Sequence, residues 1–226
     1  MNIPNSLSLA RICLIPLFVT AYFLPYEWGV YAAIAIFIIC CFTDFLDGFI
    51  ARKYNMVTDL GKLLDPIADK ILVCAALFCV VATNPLQYIN NTLFDVSSGF
   101  AGTFGSILLT AGSILILARE LLISAVRMIA ASKGIVVQAN IFGKIKTVMQ
   151  DVALPLIILL QAEKFITFSF GTPPGFTGAY PDNSALATFF DVVWLIAVIV
   201  FALSVIMTIV SGVIYLVQNR KVFAQE

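Results

Sequence analysis

Between positions 43 and 70 the chain reads TDFLDGFIARKYNMVTDLGKLLDPIADK, which sets Asp44, Asp47, Asp65 and Asp69 in a sequence otherwise dominated by hydrocarbon. Asp44 and Asp47 are three apart, Asp65 and Asp69 four apart, so on helices each pair shares one face. Left unpaired at mid-membrane, such carboxylates cost about 2.5–3.5 kcal/mol apiece on insertion scales. Two divalent cations would compensate them, four positive charges against four negative, with oxygen ligands suited to Mg2+ or Mn2+. Paired cations of this kind clamp the bridging and leaving oxygens of a phosphoryl or diphosphate group during displacement. Gly48 and Ala51, three apart on the Asp47 segment, either open the backbone to a flat ligand or allow close helix packing. The spacing alone leaves both open. A structural ion cluster with Arg52, Lys62 and Lys70 would also account for the aspartates, but it gives no reason for Gly48, Ala51 and Gly61.

The elements that must hold these residues follow from composition. The 226 residues are 61% hydrophobic and 12% charged, about half the charged fraction of a soluble domain, and the mean hydropathy is +1.02. We therefore expect an all-α integral membrane protein, organised as a single transmembrane catalytic domain over 1–226. A short amphipathic interfacial helix over 1–10 merges into the first of six spans, near 12–24, 30–50, 63–83, 105–130, 145–161 and 186–217. Asp65-Pro66 opens the third span, where a carboxylate suits the positive helix end and proline suits the first turn. Polar, Gly- and Pro-containing stretches at 84–104 and 168–184 read as loops. No cleaved signal peptide is expected, because no basic segment precedes the first apolar run.

Six spans place both termini on one side. Every Lys and Arg except Lys164 then falls to that same side, which the positive-inside rule makes cytoplasmic. The aspartates face the cytoplasm with them. Net charge is zero and histidine is absent, so carboxylates are the candidate bases and acidic metal ligands, and no nucleic-acid partner is expected. Cys13, Cys40, Cys41, Cys74 and Cys79 lie in apolar runs without CxxC spacing and read as small apolar residues rather than disulfides or metal ligands.

Taken whole, the pattern D-x2-D-G-x2-A-R-x8-G-x3-D-x3-D, carried by Asp44, Asp47, Gly48, Ala51, Arg52, Gly61, Asp65 and Asp69, resembles the signature of the CDP-alcohol phosphotransferases. So many fixed identities at fixed spacings are far more specific than a lone glycine motif. The resemblance implies that family's six-helix fold, a homodimer, and replacement of CMP on a CDP-linked lipid or alcohol by an incoming hydroxyl. It implies that Asp44, Asp47, Asp65 and Asp69 hold two divalent cations, Mg2+ or Mn2+, and that Asp69 is also the general base. Gly48, Ala51, Arg52 and Gly61 would accept the CDP moiety.

Softer matches bear on the acceptor. Ala118-Arg119-Glu120 with Arg127, and Gly143-Lys144-Ile145-Lys146-Thr147, look like segments of the bacterial phosphatidylglycerophosphate synthases, as do Asn2-Ile3-Pro4-Asn5 with Arg11, and Ser211-Gly212 with Tyr215. The implied substrates are CDP-diacylglycerol and glycerol 3-phosphate, used at the inner face of a bacterial cytoplasmic membrane, with surrounding lipid as a further partner. Glycerol 3-phosphate is a dianion, and Arg119, Arg127, Lys144 and Lys146 are candidates to converge on its phosphate. Flanking positive-inside charge is the competing reading, weakest for Arg119, which lies well inside its apolar run. Another acceptor, inositol phosphate or serine, is the nearest alternative. A divalent-cation transporter is the alternative from a different class, but it would spread carboxylates across membrane depth rather than gather them at one face.

Overall fold

A computed structural model describes residues 3–53, 59–87, 100–132, 141–169 and 184–218 of the chain, with side chains described for part of these. The described residues are helical throughout apart from short connections. The helices are α1 (Ile3–Phe23), α2 (Glu27–Lys53), α3 (Asp59–Thr83), α4 (Phe100–Ser132), α5 (Ile141–Ser169) and α6 (Ser184–Gln218), with a 3-10 turn at Pro85–Gln87 between α3 and α4.

Each helix corresponds to an expected span, and α2 to α6 extend beyond theirs at one or both ends, because polar end-turns continue the backbone hydrogen bonding past the apolar stretch. The difference is clearest at α4, which begins at Phe100, inside the segment 84–104 that composition marks as a loop. α1 is continuous from Ile3 to Phe23, so no break separates an interfacial portion from the apolar portion that follows. Pro16 and Pro155 sit within α1 and α5 without ending them. Neighbouring helices in lipid allow this by re-satisfying the freed backbone groups.

Three described segments are long and apolar enough to cross a bilayer: Thr103–Ala130, Ile141–Ala162 and Thr188–Gln218. The apolar portions of the first three helices among the described residues, Leu9–Phe23, Trp28–Asp44 and Lys70–Thr83, are shorter. Large apolar side chains such as Phe78, Ile107, Ile114, Leu121 and Val213 point outward, as lipid-facing positions do and as water-facing ones do not.

The interior is built by α1 lying against both α2 and α3, α5 against α6 and α2, and α4 against α6. Phe18, Phe37, Leu77, Leu109, Ile116, Leu154, Ile157 and Phe201 fill it. At the end away from the aspartates the helices are fastened by polar bonds. The Tyr22 and Thr83 hydroxyls share a hydrogen bond of 2.6 Å, and Trp194 Nε1 donates to the Leu86 carbonyl at 3.1 Å. Gly105 lies so close to the same turn that a Cβ there would stand 2.8 Å from the Leu86 oxygen.

α3 stops at Asn84, whose φ of 48° is left-handed. Its N–H closes on the Val80 carbonyl at 2.8 Å, and its side-chain amide donates to Ser106 Oγ at 2.8 Å. Asparagine thus ends the helix and ties it to α4. Asn84→Ala keeps the strained φ and loses the side-chain bond, and is expected to cost about 1–2 kcal/mol. Asn84→Gly loses the bond but relieves the strain, so its thermal midpoint in detergent should lie between those of wild type and the alanine variant.

Candidate active site

The first limb of the site rests on α1, α2 and α3. Arg11, on α1, is buried within the bundle, and its Nη1 donates to Asp44 Oδ1 of α2 at 2.5 Å. The two ends of this pair differ in exposure: the Arg11 side chain is 0% accessible and that of Asp44 is 44%. A guanidinium sealed in a low-dielectric interior requires an anionic partner, and breaking such a pair by removing one member costs about 3–5 kcal/mol.

Asp47, Gly48, Ala51 and Arg52 follow Asp44 on the helical backbone of α2, and Gly61, Asp65 and Asp69 lie on that of α3. Each aspartate pair therefore shares a helix at the expected spacing. The side chains of these seven residues fall outside the described residues.

The second limb joins α4, α5 and α6. Arg119 Nη1 donates to Glu120 Oε1 at 2.7 Å, and its Nη2 donates to Ser211 Oγ of α6 at 3.1 Å. Lys146 Nζ, from α5, donates to the same Glu120 oxygen. One carboxylate thus serves two cations, and the side chains of Arg119 (16% accessible) and Lys146 (4%) are both largely withdrawn from the surface. Small residues make room for the arrangement. A Cβ at Gly212 would come within 3.3 Å of Arg119 Cγ, and one at Gly143 within 3.7 Å of its Nη2. Among the printed pairs of the described residues, two cations share one carboxylate, an arrangement that can also engage an anion.

The two limbs are linked. Lys70 of α3, next in sequence to Asp69, donates to Ser124 Oγ of α4, and Ser124 in turn donates to the Glu120 carbonyl at 2.6 Å. The helix carrying Asp65 and Asp69 is thereby fastened to the helix carrying Arg119 and Glu120.

Of the expected acceptor-binding cations, the structure brings Arg119 and Lys146 together through Glu120, while Arg127 and Lys144 are exposed. Tyr215 is buried against Ile123 and Val126. All five cysteines are free, as their spacing implied. Cys40 and Cys79 are buried, Cys41 and Cys74 partly so, and Cys13 faces outward. Among the described residues no group of His, Cys, Asp and Glu forms a metal cluster.

Sequence reasoning did not anticipate Glu120 as the joint between two cations, or Ser124 as the link to α3. The available signals were a carboxylate beside an arginine inside an apolar run, and a serine one helical turn further along the same face.

The profile described as CDP-alcohol phosphatidyltransferase matches residues 1–210, nearly the whole chain. The chain belongs to the CDP-alcohol phosphatidyltransferase family. Among its relatives, the CDP-diacylglycerol–glycerol-3-phosphate 3-phosphatidyltransferase of Bacillus subtilis (strain 168) is 37% identical over 170 residues, covering 70% of this chain and 77% of that protein. The proteins of the same description from Pseudomonas fluorescens and Escherichia coli (strain K12) are 44% identical over 81 residues and 48% over 79. These two matches cover 36% and 35% of this chain, and 42% and 43% of the relatives, less than half of either partner.

Members of the CDP-alcohol phosphatidyltransferase family are generally dependent on divalent cations. The chemistry of the donors here fits such an ion. The chain has no histidine, its signature supplies only carboxylate oxygens, and Asp44 keeps an accessible carboxylate while Arg11 engages Oδ1. Hard oxygen donors of this kind select Mg2+ or Mn2+ over softer metals.

Proposed function

We propose that this chain transfers the phosphatidyl group of CDP-diacylglycerol to glycerol 3-phosphate and releases CMP. The observation that carries the reading is the part-buried Arg119–Glu120–Lys146 cluster, fastened through Ser124 and Lys70 to the helix of Asp65 and Asp69. It sets an anion-binding cation pair beside the family's signature, as an acceptor bearing its own phosphate requires. The names of the bacterial relatives support the same choice of substrates.

In this reading all six helices cross the membrane and form a single catalytic domain over 1–226, with both termini and the site on the cytoplasmic side of a bacterial inner membrane. The working unit is a homodimer. Gly48, Ala51, Arg52 and Gly61 receive the CDP moiety, with the acyl chains left in lipid. Asp44, Asp47, Asp65 and Asp69 would hold two divalent cations, Mg2+ or Mn2+. When bound, these ions supply electrostatic stabilisation to the diphosphate and to the departing CMP.

The chain's own side chains orient the acceptor. Arg119 and Lys146, with Arg127 and Lys144 at the exposed rim, bind the phosphate of glycerol 3-phosphate and turn its C1 hydroxyl toward the lipid-bearing phosphorus. Asp69 accepts the proton of that hydroxyl as its oxygen bonds to phosphorus and the bond to the CMP oxygen breaks. An aspartate is a weak base, so positioning must remove much of the barrier.

The experiment is an acceptor panel. Purified protein in lipid–detergent micelles, supplied with CDP-diacylglycerol and Mg2+, is expected to release CMP with glycerol 3-phosphate and at least ~100-fold more slowly with glycerol, which lacks the anion that the cation pair binds. CMP release with inositol phosphate or serine, and none with glycerol 3-phosphate, would overturn the choice of acceptor.

A further inference from the structure

We propose that Arg11 is a positioning residue for the cation site, acting through Asp44. The inference rests on the reading above, in which Asp44 is a cation ligand. Three observations support it.

The first is contact. Arg11 Nη1 donates to Asp44 Oδ1 at 2.5 Å across 33 positions of sequence, joining α1 to the first aspartate of the signature. The bond engages one carboxylate oxygen and leaves the other for a metal. Ligating carboxylates are commonly held in this way by a second hydrogen-bonding group.

The second is the asymmetry of the pair. The Arg11 side chain is fully sealed while nearly half of the Asp44 side chain remains accessible. A pair that served only to join two helices would have no need to leave the anion open and the cation closed. An ion arriving at this site meets Asp44, and Arg11 lies behind it, out of reach of substrate.

The third is placement. α1 packs against both α2 and α3, the two helices that carry the aspartate pairs. Arg11 therefore stands on an element packed against both, and fixing the Asp44 rotamer from α1 ties the metal ligand to a helix that bears on the α2–α3 relation. A guanidinium suits this role because its rigid fork holds a carboxylate in a set orientation, which a flexible ammonium does less well.

The test is Mn2+ binding, followed by electron paramagnetic resonance on the full-length protein in micelles, for wild type, Arg11→Lys and Arg11→Gln. We expect Mn2+ affinity to fall about 10- to 100-fold in Arg11→Gln and by a smaller factor in Arg11→Lys, which keeps the charge and loses the fork. The lysine variant carries the test if the glutamine variant does not fold. Unchanged Mn2+ affinity in a folded Arg11 variant, with only the thermal midpoint lowered, would reduce Arg11 to a structural ion pair. Tighter Mn2+ binding would show that Arg11 competes with the metal for Asp44, and would equally overturn the proposal. Wild-type protein that binds no Mn2+ would instead overturn the cation-site reading on which the proposal stands.

Discussion

Asp69→Asn is expected to reduce CMP release by about 10²–10⁴-fold, the range over which a positioned general base contributes. The substitution is nearly isosteric and keeps one oxygen donor, so CDP-diacylglycerol binding should persist with an affinity within about tenfold of wild type. The fall should appear in kcat rather than in KM for the lipid, because the lost interaction is one made as the proton moves. Lys70, the next residue, binds Ser124 on α4, and that link should preserve the helix packing in the variant. Lipid binding followed by calorimetry, together with CMP release, separates the two effects. Near-wild-type turnover by Asp69→Asn would remove the residue from its role as base.

A comparably large effect belongs to the other limb. Arg119→Met should raise KM for glycerol 3-phosphate about 10- to 30-fold, since truncating one partner of a hydrogen-bonded charge pair costs about 2–5 kcal/mol when fully buried, and this pair is part-buried. KM for CDP-diacylglycerol should move little. Arg119 is held from two sides, by Glu120 at 2.7 Å and by Ser211 at 3.1 Å, so its guanidinium is oriented before any ligand arrives. Arg119→Lys restores the charge without the fork and should recover only part of the loss. Steady-state kinetics with each substrate varied in turn provides the measurement. A rise in KM confined to the lipid substrate would move Arg119 out of the acceptor site.

Not all of this was equally readable from the residues. The signature stood out because its identities are close in sequence, and because a carboxylate inside a hydrocarbon run has few explanations. Helix positions were readable for the same reason, since each apolar run maps to one helix. Helix ends were not. Residues 100–104 look like loop by composition, yet Phe100 opens α4, because backbone hydrogen bonding and packing against Leu86 outweigh the low helix propensity of Gly102 and Gly105.

Long-range pairs were the least accessible. Arg11 and Asp44 are 33 positions apart, and Lys146 and Glu120 are 26 apart; no local pattern joins them. Arg119 was readable as unusual from its depth in an apolar run, whereas Glu120 could be seen to organise the cluster only once α5 was placed beside it.

The central claim is that the acidic quartet of α2 and α3 works by holding divalent cations that grip a lipid-linked diphosphate. CMP release from CDP-diacylglycerol and glycerol 3-phosphate, measured on purified protein stripped with EDTA and then titrated with Mg2+ or Mn2+, tests it directly. Turnover should vanish in chelator and return with either ion. Full turnover in excess chelator would contradict the account.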